Sequence, residues 1–337
     1  MLNNLTKAIR LTPITYTDIL SGKSSGLIEE ALGLKGSGSI LVKCDDEFLF
    51  LRRKVLNGIN QLKALPKEEQ VLLEDPDSGY RTGLNYGKIV SKSKGRVTKS
   101  FFNANCVSDN PTPVLNKNRW PKSLTDFKND FIKLSTYFVQ FTISVAKILD
   151  KHLQKEFPEI KFQSFEKTLK ESDQHLGHLL NYYPQNTKTE ISRWHNDHQM
   201  FTMVTCPMYF NAEDNALIDE DNIHLRSEFE LKNRNGEILQ LLVKNDEALF
   251  HVGETAQVMS GGLIQATPHA VITNGDRPNM YRNTLVVFTM PRSDFVMNSP
   301  LGDKAIIEHK EVFPLKKKWK QGINFQDYNE NYLKFEQ

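Results

Sequence analysis

Two hydrophobic rhythms divide this chain. Between Leu124 and His152, Phe127, Phe131, Leu134, Phe138, Phe141 and Val145 recur at intervals of three and four. That spacing places them along one side of a helix and predicts a long helix whose apolar stripe faces a core. A second helix is predicted over Glu47 to Leu62, after a short strand from Ser39 to Lys43, and Ile9 to Leu20 reads as a strand leading into a helix. From about residue 178 the pattern shifts to short runs of β-formers: Gly177 to Tyr183, Phe201 to Phe210, Glu228 to Leu231, Ile238 to Val243, Ala256 to Met259, His269 to Thr273 and Asn283 to Met290. Turn residues separate them, including Asn235-Gly236 and Asn274-Gly275. Many short strands with hairpin signals predict a β barrel or sandwich in this half.

The connections have their own character. Asn85 to Asn118 is rich in Lys, Ser, Asn and Pro, with five basic residues from Lys88 to Lys99. A solvated loop is its default reading and a substrate-contacting loop the alternative. Asn211 to Asn222, with Glu213, Asp214, Asp219, Glu220 and Asp221, reads as an inserted acidic loop, expected to be mobile near the barrel mouth. Beyond Glu311 four lysines surround Trp319, which reads as a surface helix. The organisation is therefore a helical and mixed region over 1–155, a β core over 156–310 and a helical tail over 311–337, acting as one unit.

Composition narrows the class. Over 337 residues, 39% are hydrophobic and 25% charged, as in an ordinary globular protein. With 43 basic against 41 acidic residues the formal charge is +2, so no large field draws in nucleic acid or an anionic membrane. Neither partner is expected, and a monomer is. Cys44, Cys106 and Cys206 are too few and too dispersed for a disulfide framework or a C-x-x-C site, which fits a reducing, cytoplasmic setting. No apolar run is long enough to span a bilayer. Lys7 and Arg10, with no acid before Asp18, allow a weak transit-peptide reading, but the strand-to-helix pattern over the same residues fits better.

Metal chemistry is suggested by His195-Asn196-Asp197. In a strand, positions i and i+2 share a face, so an imidazole and a carboxylate would converge on one ion. The triplet is common by chance, and His309-Lys310-Glu311 is a comparable decoy with no histidine after it. In a regular strand His198 points away from that face. A third ligand is supplied by His269, which enters a β run after the Gly261-Gly262 turn. His152, His175, His178, His224 and His251 read as ordinary structural histidines. Two imidazoles and one carboxylate with open positions describe the facial triad of Fe(II) oxygenases, whereas structural zinc wants four closed ligands, usually including thiolates.

Downstream, Arg282, Thr284, Val286 and Phe288 alternate onto one strand face. An arginine beginning such a face is either at an exposed strand end or buried against an anion. Its rigid fork matches a carboxylate, to which Thr284 would add a hydroxyl.

In this setting the chain resembles the isopenicillin N synthase-like family of 2-oxoglutarate and Fe(II)-dependent oxygenases. Asn181-Tyr182-Tyr183-Pro184, His195-Asn196-Asp197 followed by Phe201-Thr202, Val252-Gly253-Glu254 and Ser260-Gly261-Gly262 ahead of His269, and Arg282-Asn283-Thr284 follow the family's order. Leu65-Pro66-Lys67-Glu68-Glu69, Gly79-Tyr80 and Asn118-Arg119-Trp120-Pro121 resemble further landmarks. The resemblance implies a mainly β protein with a helical N-terminal part and a double-stranded β-helix, or jelly-roll, core. It implies His195, Asp197 and His269 as iron ligands, Arg282 and Thr284 on the distal carboxylate of 2-oxoglutarate, and Tyr183 with Asn181 beside that cosubstrate. Ala270, where an arginine often follows the distal histidine, and the long insertion from Asn211 to Asp246 depart from the pattern.

The implied activity is oxidation, most commonly hydroxylation, of a small organic molecule by O2, with 2-oxoglutarate converted to succinate and CO2 and with ascorbate as a reductant. The rivals are an oxidase of the same fold that needs no 2-oxoglutarate, with Arg282 and Thr284 on the substrate's own carboxylate, and a non-catalytic jelly-roll binding or sensing protein. The sequence carries no motif for the substrate.

Overall fold

The computed structural model describes residues 7–87, 99–218, 228–273, 275 and 278–336. The acidic residues at 219–221 and His224 of the insertion, the basic cluster at 88–98 and Asn274 lie outside them.

The helical stripe folds as its spacing predicts. Phe127–Glu156 is a helix of 30 residues, and Phe131, Leu134, Phe138, Phe141 and Val145 on its stripe are all fully buried. It packs beside Asp46–Lys63, whose start is fixed by the Asp45 carboxylate accepting from the Phe48 N–H at 3.0 Å. The two helices cover one face of a large sheet, sharing a core with Leu179, Leu285 and Val287 from its strands. That sheet runs in the order Ile14–Thr15, Ser39–Lys43, Glu247–Val252, Phe201–Thr205, Met280–Thr289, His175–Tyr182, Lys99–Asn105 and Gly83–Asn85, with Met208–Asn211 also paired to Met280–Thr289. A second sheet lines up Lys7–Ile9, Ile238–Leu241, Phe229–Lys232, His269–Thr273 and Thr189–His195.

The inner faces of the two sheets meet. Leu180, Tyr182, Val204, Leu249 and Val286 of the large sheet share one apolar cluster with Phe229, Leu231, Leu239, Leu241 and Val271 of the small one. Side chains alternate along each strand, so the same pleat that aims Leu179 and Leu285 at the helices aims Leu180 and Val286 into this gap. Strands from the first 155 residues are built into both sheets.

Several expectations need correction. Ala256 to Met259 is not a strand but part of the helix Glu254–Met259, every residue of which is buried. Phe201 to Phe210 is two strands broken at Cys206-Pro207, where proline offers no N–H to a ladder. Within the expected loop from Asn85 to Asn118, Lys99–Asn105 is a strand of the large sheet. Thr189–His195 and Glu247–Val252 are strands outside the runs that the β pattern marks. The tail is not a simple surface helix: Lys318 and Trp319 are 2% and 3% exposed, and the helix comes later, at Phe325–Glu336.

Candidate metal centre

Two strands of the small sheet bring the histidines together. His195 ends Thr189–His195, His269 begins His269–Thr273, and the two are register partners with ring centroids 4.3 Å apart. Each ring is oriented by its backbone. His195 Nδ1 donates to the Arg193 carbonyl at 2.6 Å and His269 Nδ1 to the Thr267 carbonyl at 2.9 Å. That tautomer leaves both Nε2 atoms as lone-pair donors, the arrangement in which imidazoles bind metals. Both face one oxygen: Asp197 Oδ1 lies 3.6 Å from His195 Nε2 and 3.7 Å from His269 Nε2.

Asp197 does not reach this position by strand alternation. The strand stops at His195, and residues 196–200 turn away from it without regular structure. The helix Glu254–Met259 holds that turn. Its first N–H groups have no partners within a helix, and here Glu254 N donates to the Asp197 carbonyl at 2.8 Å and Thr255 N to the Gln199 carbonyl at 3.2 Å. Thr255 Oγ1 adds a bond to the His198 carbonyl at 2.7 Å. Gly253 permits the approach, because a Cβ there would stand 2.1 Å from the Gln199 oxygen. The Gly-Glu pair seen in the sequence therefore sets the backbone of the carboxylate's turn.

The electrostatics follow from burial and pairing. Burial alone would raise the Asp197 carboxyl, but the imidazoles of His269, His195 and His251 outweigh it and hold the group well below the usual carboxylate range. Burial, reinforced by repulsion from His195, pushes His269 well below the ordinary histidine value, which keeps it neutral and ready to ligate. His195 is the open side of the cluster, 28% exposed against 6% for each of the other two side chains. Among the described residues this trio is the one group with metal-ligand geometry, its ligand atoms all within 4.8 Å of one another. Its oxygen and nitrogen donors, without a thiolate, fit Fe(II) rather than a closed structural zinc.

Sequence reasoning missed His251. It is 1% exposed, and its Nε2 lies 2.7 Å from Asp197 Oδ2, the oxygen turned away from the other histidines. Thr202 Oγ1 donates to the same oxygen at 2.6 Å. His198, by contrast, faces away from the trio, its ring stacked on Tyr332 at 4.0 Å and its Nε2 2.8 Å from Asn329 Oδ1.

Arg282 is buried on the inner face of the large sheet, its guanidinium 5.3 Å from the Tyr182 ring. Its Nε is 3.1 Å from Glu228, and Nη1 is buried without a hydrogen-bond partner among the described residues. A small cavity opens beside it, lined by Tyr182, Tyr183, Tyr209, Glu228 and Thr273. Thr273 ends the strand that begins with His269, and none of the trio lines the cavity. Thr284 shares the Arg282 face, but its hydroxyl donates to the Thr205 carbonyl at 3.1 Å. Tyr183 lines the cavity, with its hydroxyl bonded to Ser100. Asn181 sits on the opposite face of the sheet, bonded to Asn283 at 2.6 Å and to Lys63 at 3.1 Å. The structure thus groups Arg282 with Tyr183 and sets Asn181 apart, against the helices.

No family model and no curated protein matches the chain. Solved structures do. A Caulobacter crescentus protein assigned to the 2OG-Fe(II) oxygenase family superposes with a TM-score of 0.70 at 16% identity, covering 96% of this chain and 99% of that one. A Neurospora crassa protein, crystallised at full length in complex with alpha-KG and thymine, gives 0.66 at 15% identity, covering 99% of both chains. JOX2, in complex with 2OG, Fe and JA, gives 0.65 at 13% identity, covering 99% of this chain and 87% of that one. The likeness extends over nearly the full length of each, so this chain has the fold of 2OG-Fe(II) oxygenases.

Proposed function

We propose that the protein is a 2-oxoglutarate- and Fe(II)-dependent dioxygenase with a double-stranded β-helix core, which oxidises, and most simply hydroxylates, a small organic substrate with succinate and CO2 as co-products. One observation carries the reading: two imidazole Nε2 atoms and one carboxylate oxygen converge, each preset by backbone or side-chain hydrogen bonds. His195, Asp197 and His269 would hold the iron. When bound, that ion supplies O2 activation and a Lewis-acid site for the keto acid.

The chain's own contribution is positioning. Arg282 offers the unpartnered Nη1 to the distal carboxylate, which would fix the keto acid end toward the trio in one pose. Tyr182 and Tyr183 wall the same cavity. Thr284, its hydroxyl already bonded to Thr205, supports the Arg282 strand and would add its oxygen to the carboxylate only by rotating. Asn181 is read as a brace between Lys63 and Asn283, on the far side of the sheet from the cosubstrate.

A second reading has a specific observation in its favour. The Arg282 guanidinium already faces the Glu228 carboxylate, which lowers its attraction for a second anion. An oxidase needs no 2-oxoglutarate at Arg282, so the pairing fits that reading where the substrate brings no carboxylate of its own. Oxygen uptake by the Fe(II)-loaded protein with and without 2-oxoglutarate separates the two. Uptake that depends on 2-oxoglutarate and releases succinate supports the first reading, and unchanged uptake without it supports the second. The described residues contain no helix long and apolar enough to cross a membrane, and the thymine bound by the Neurospora protein is consistent with small molecules as the substrate class.

A further inference from the structure

We propose that His251, together with Thr202, is a positioning pair that locks Asp197 into ligation through one oxygen and so keeps three positions of an octahedral metal open. The inference rests on the reading of the trio as a metal centre.

A carboxylate is free to bind a cation through one oxygen or two. With both oxygens bound, two imidazoles and Asp197 would occupy four positions and leave two. A chelating keto acid and O2 need three between them. In this chain the choice is made by the sheet. His251 and Thr202 are register partners on Glu247–Val252 and Phe201–Thr205, and both project into the gap between the sheets. Both bond Oδ2, at 2.7 and 2.6 Å, while Oδ1 alone faces His195 and His269. Swinging Oδ2 onto the metal would break two buried hydrogen bonds, one of them from an imidazole that cannot follow. That ring packs beside the stacked pair of His269 and Phe229, at centroid distances of 4.4 and 5.7 Å.

The imidazole is poorly placed for packing alone. Its other nitrogen, Nδ1, is buried without a hydrogen-bond partner among the described residues. An orphaned polar atom costs about 1–3 kcal/mol. The bond to Asp197 is what the ring provides in exchange.

The test uses Mn(II) as the probe on the full chain, reading water-proton relaxation per bound ion, which counts exchangeable waters. In the wild type three positions hold water. In His251→Phe and in Thr202→Val the outer oxygen keeps one donor of two and swings onto the metal, and the relaxation per bound ion falls by about a third, one water of three in an octahedral facial-triad site. His251→Gln, which keeps a donor, restores most of it. Loss of packing alone would instead lower Mn(II) affinity and melting temperature while leaving relaxation per bound ion unchanged. Wild-type relaxation per bound ion in both His251→Phe and Thr202→Val overturns the proposal, and Thr202→Val decides it if His251→Phe does not fold. A wild type that holds no Mn(II) overturns the metal-centre reading and this proposal with it. A wild type whose Mn(II) waters are not displaced by 2-oxoglutarate overturns only the cosubstrate reading, and the comparison among variants still decides the role of His251.

Discussion

The ammonium of Lys318 meets the carboxylate of Glu254 at 2.5 Å, with both side chains 1% exposed. Tyr328 donates to the same carboxylate oxygen at 2.6 Å. Glu254 is also the residue whose N–H holds the Asp197 carbonyl, so the C-terminal segment is tied through one residue to the turn carrying the candidate carboxylate ligand. Removing one partner of a buried ion pair leaves an uncompensated charge and typically costs about 3–5 kcal/mol. Lys318→Met is therefore expected to lower unfolding free energy by about that much, and to weaken metal binding as the turn loosens. Replacing both partners, Lys318→Met with Glu254→Gln, should recover part of the loss. Denaturant titrations of the single and double variants check this; additive losses would contradict it.

Metal binding should stabilise the native state by mass action. An ion that binds only the folded form adds about 2.7 kcal/mol when present at a hundred times its Kd. Fe(II) under anaerobic conditions, or Co(II) in its place, is expected to raise the melting temperature of the wild type. His195→Ala, Asp197→Ala and His269→Ala should abolish the shift. His198→Ala should preserve it, since His198 faces Asn329 and Tyr332 instead. A shift of wild-type size in any of the three ligand variants would remove that residue from the site.

How legible this was in the sequence depended on the range of the interactions. The stripe of Phe127–Glu156 and the alternating runs near His269 and Arg282 are local periodicities, and they fold as read. Glu254–Met259 is buried on every side, so its polar residues Glu254, Thr255 and Gln257 mark no solvent face, and a short buried run does not distinguish helix from strand. His251 carries no local signal at all. Its part in the site comes from register with Thr202 across two strands and from a turn that places Asp197 over both. Lys318 reads as one of several surface lysines because its partner Glu254 is distant in the chain. The hairpin at Asn235-Gly236 was legible for the opposite reason: Gly236 adopts a φ of 81°, which its neighbours in the turn could not supply as cheaply.

Two histidines outside the trio, His175 buried and His178 half-buried, give the protein an acid-sensitive range. Burial pushes His175 down to about 4 and His178 down to about 3, the latter helped by Lys99. The unfolded chain holds these groups near about 6.5. Between the folded and unfolded values the unfolded state binds more protons, so stability rises with pH. The contribution is fully present above about 6.5 and is lost as pH falls toward 4, at about 1.4 kcal/mol per pH unit for each group. Denaturant midpoints of the metal-free protein between pH 7 and 5 should show this slope. His178→Gln should flatten it by close to one proton. A slope unchanged in that variant would contradict the assignment.

Arg282 offers the sharpest test of the proposed cosubstrate site. Its guanidinium is buried, with Tyr209 and Glu228 raising it further above its ordinary value against the effect of burial, so it is a permanent cation. A dicarboxylate entering the cavity would meet the unpartnered Nη1, but it would also meet Glu228, whose carboxylate faces Nε at 3.1 Å. The two anions compete for one cation. Glu228→Gln should therefore tighten 2-oxoglutarate binding several-fold, while Arg282→Lys, which keeps the charge and loses the fork, should weaken it. Arg282→Ala removes a partner of a buried charged pair, a loss of about 3–5 kcal/mol, or two to four orders of magnitude in affinity. Metal affinity should stay nearly constant across the series, because Arg282 is held by Glu228 and the Tyr182 ring. Calorimetric titration of the metal-loaded variants with 2-oxoglutarate measures all four. If the wild type turns over without 2-oxoglutarate and Arg282→Ala weakens only the organic substrate, the arginine grips the substrate's own carboxylate and the oxidase reading holds.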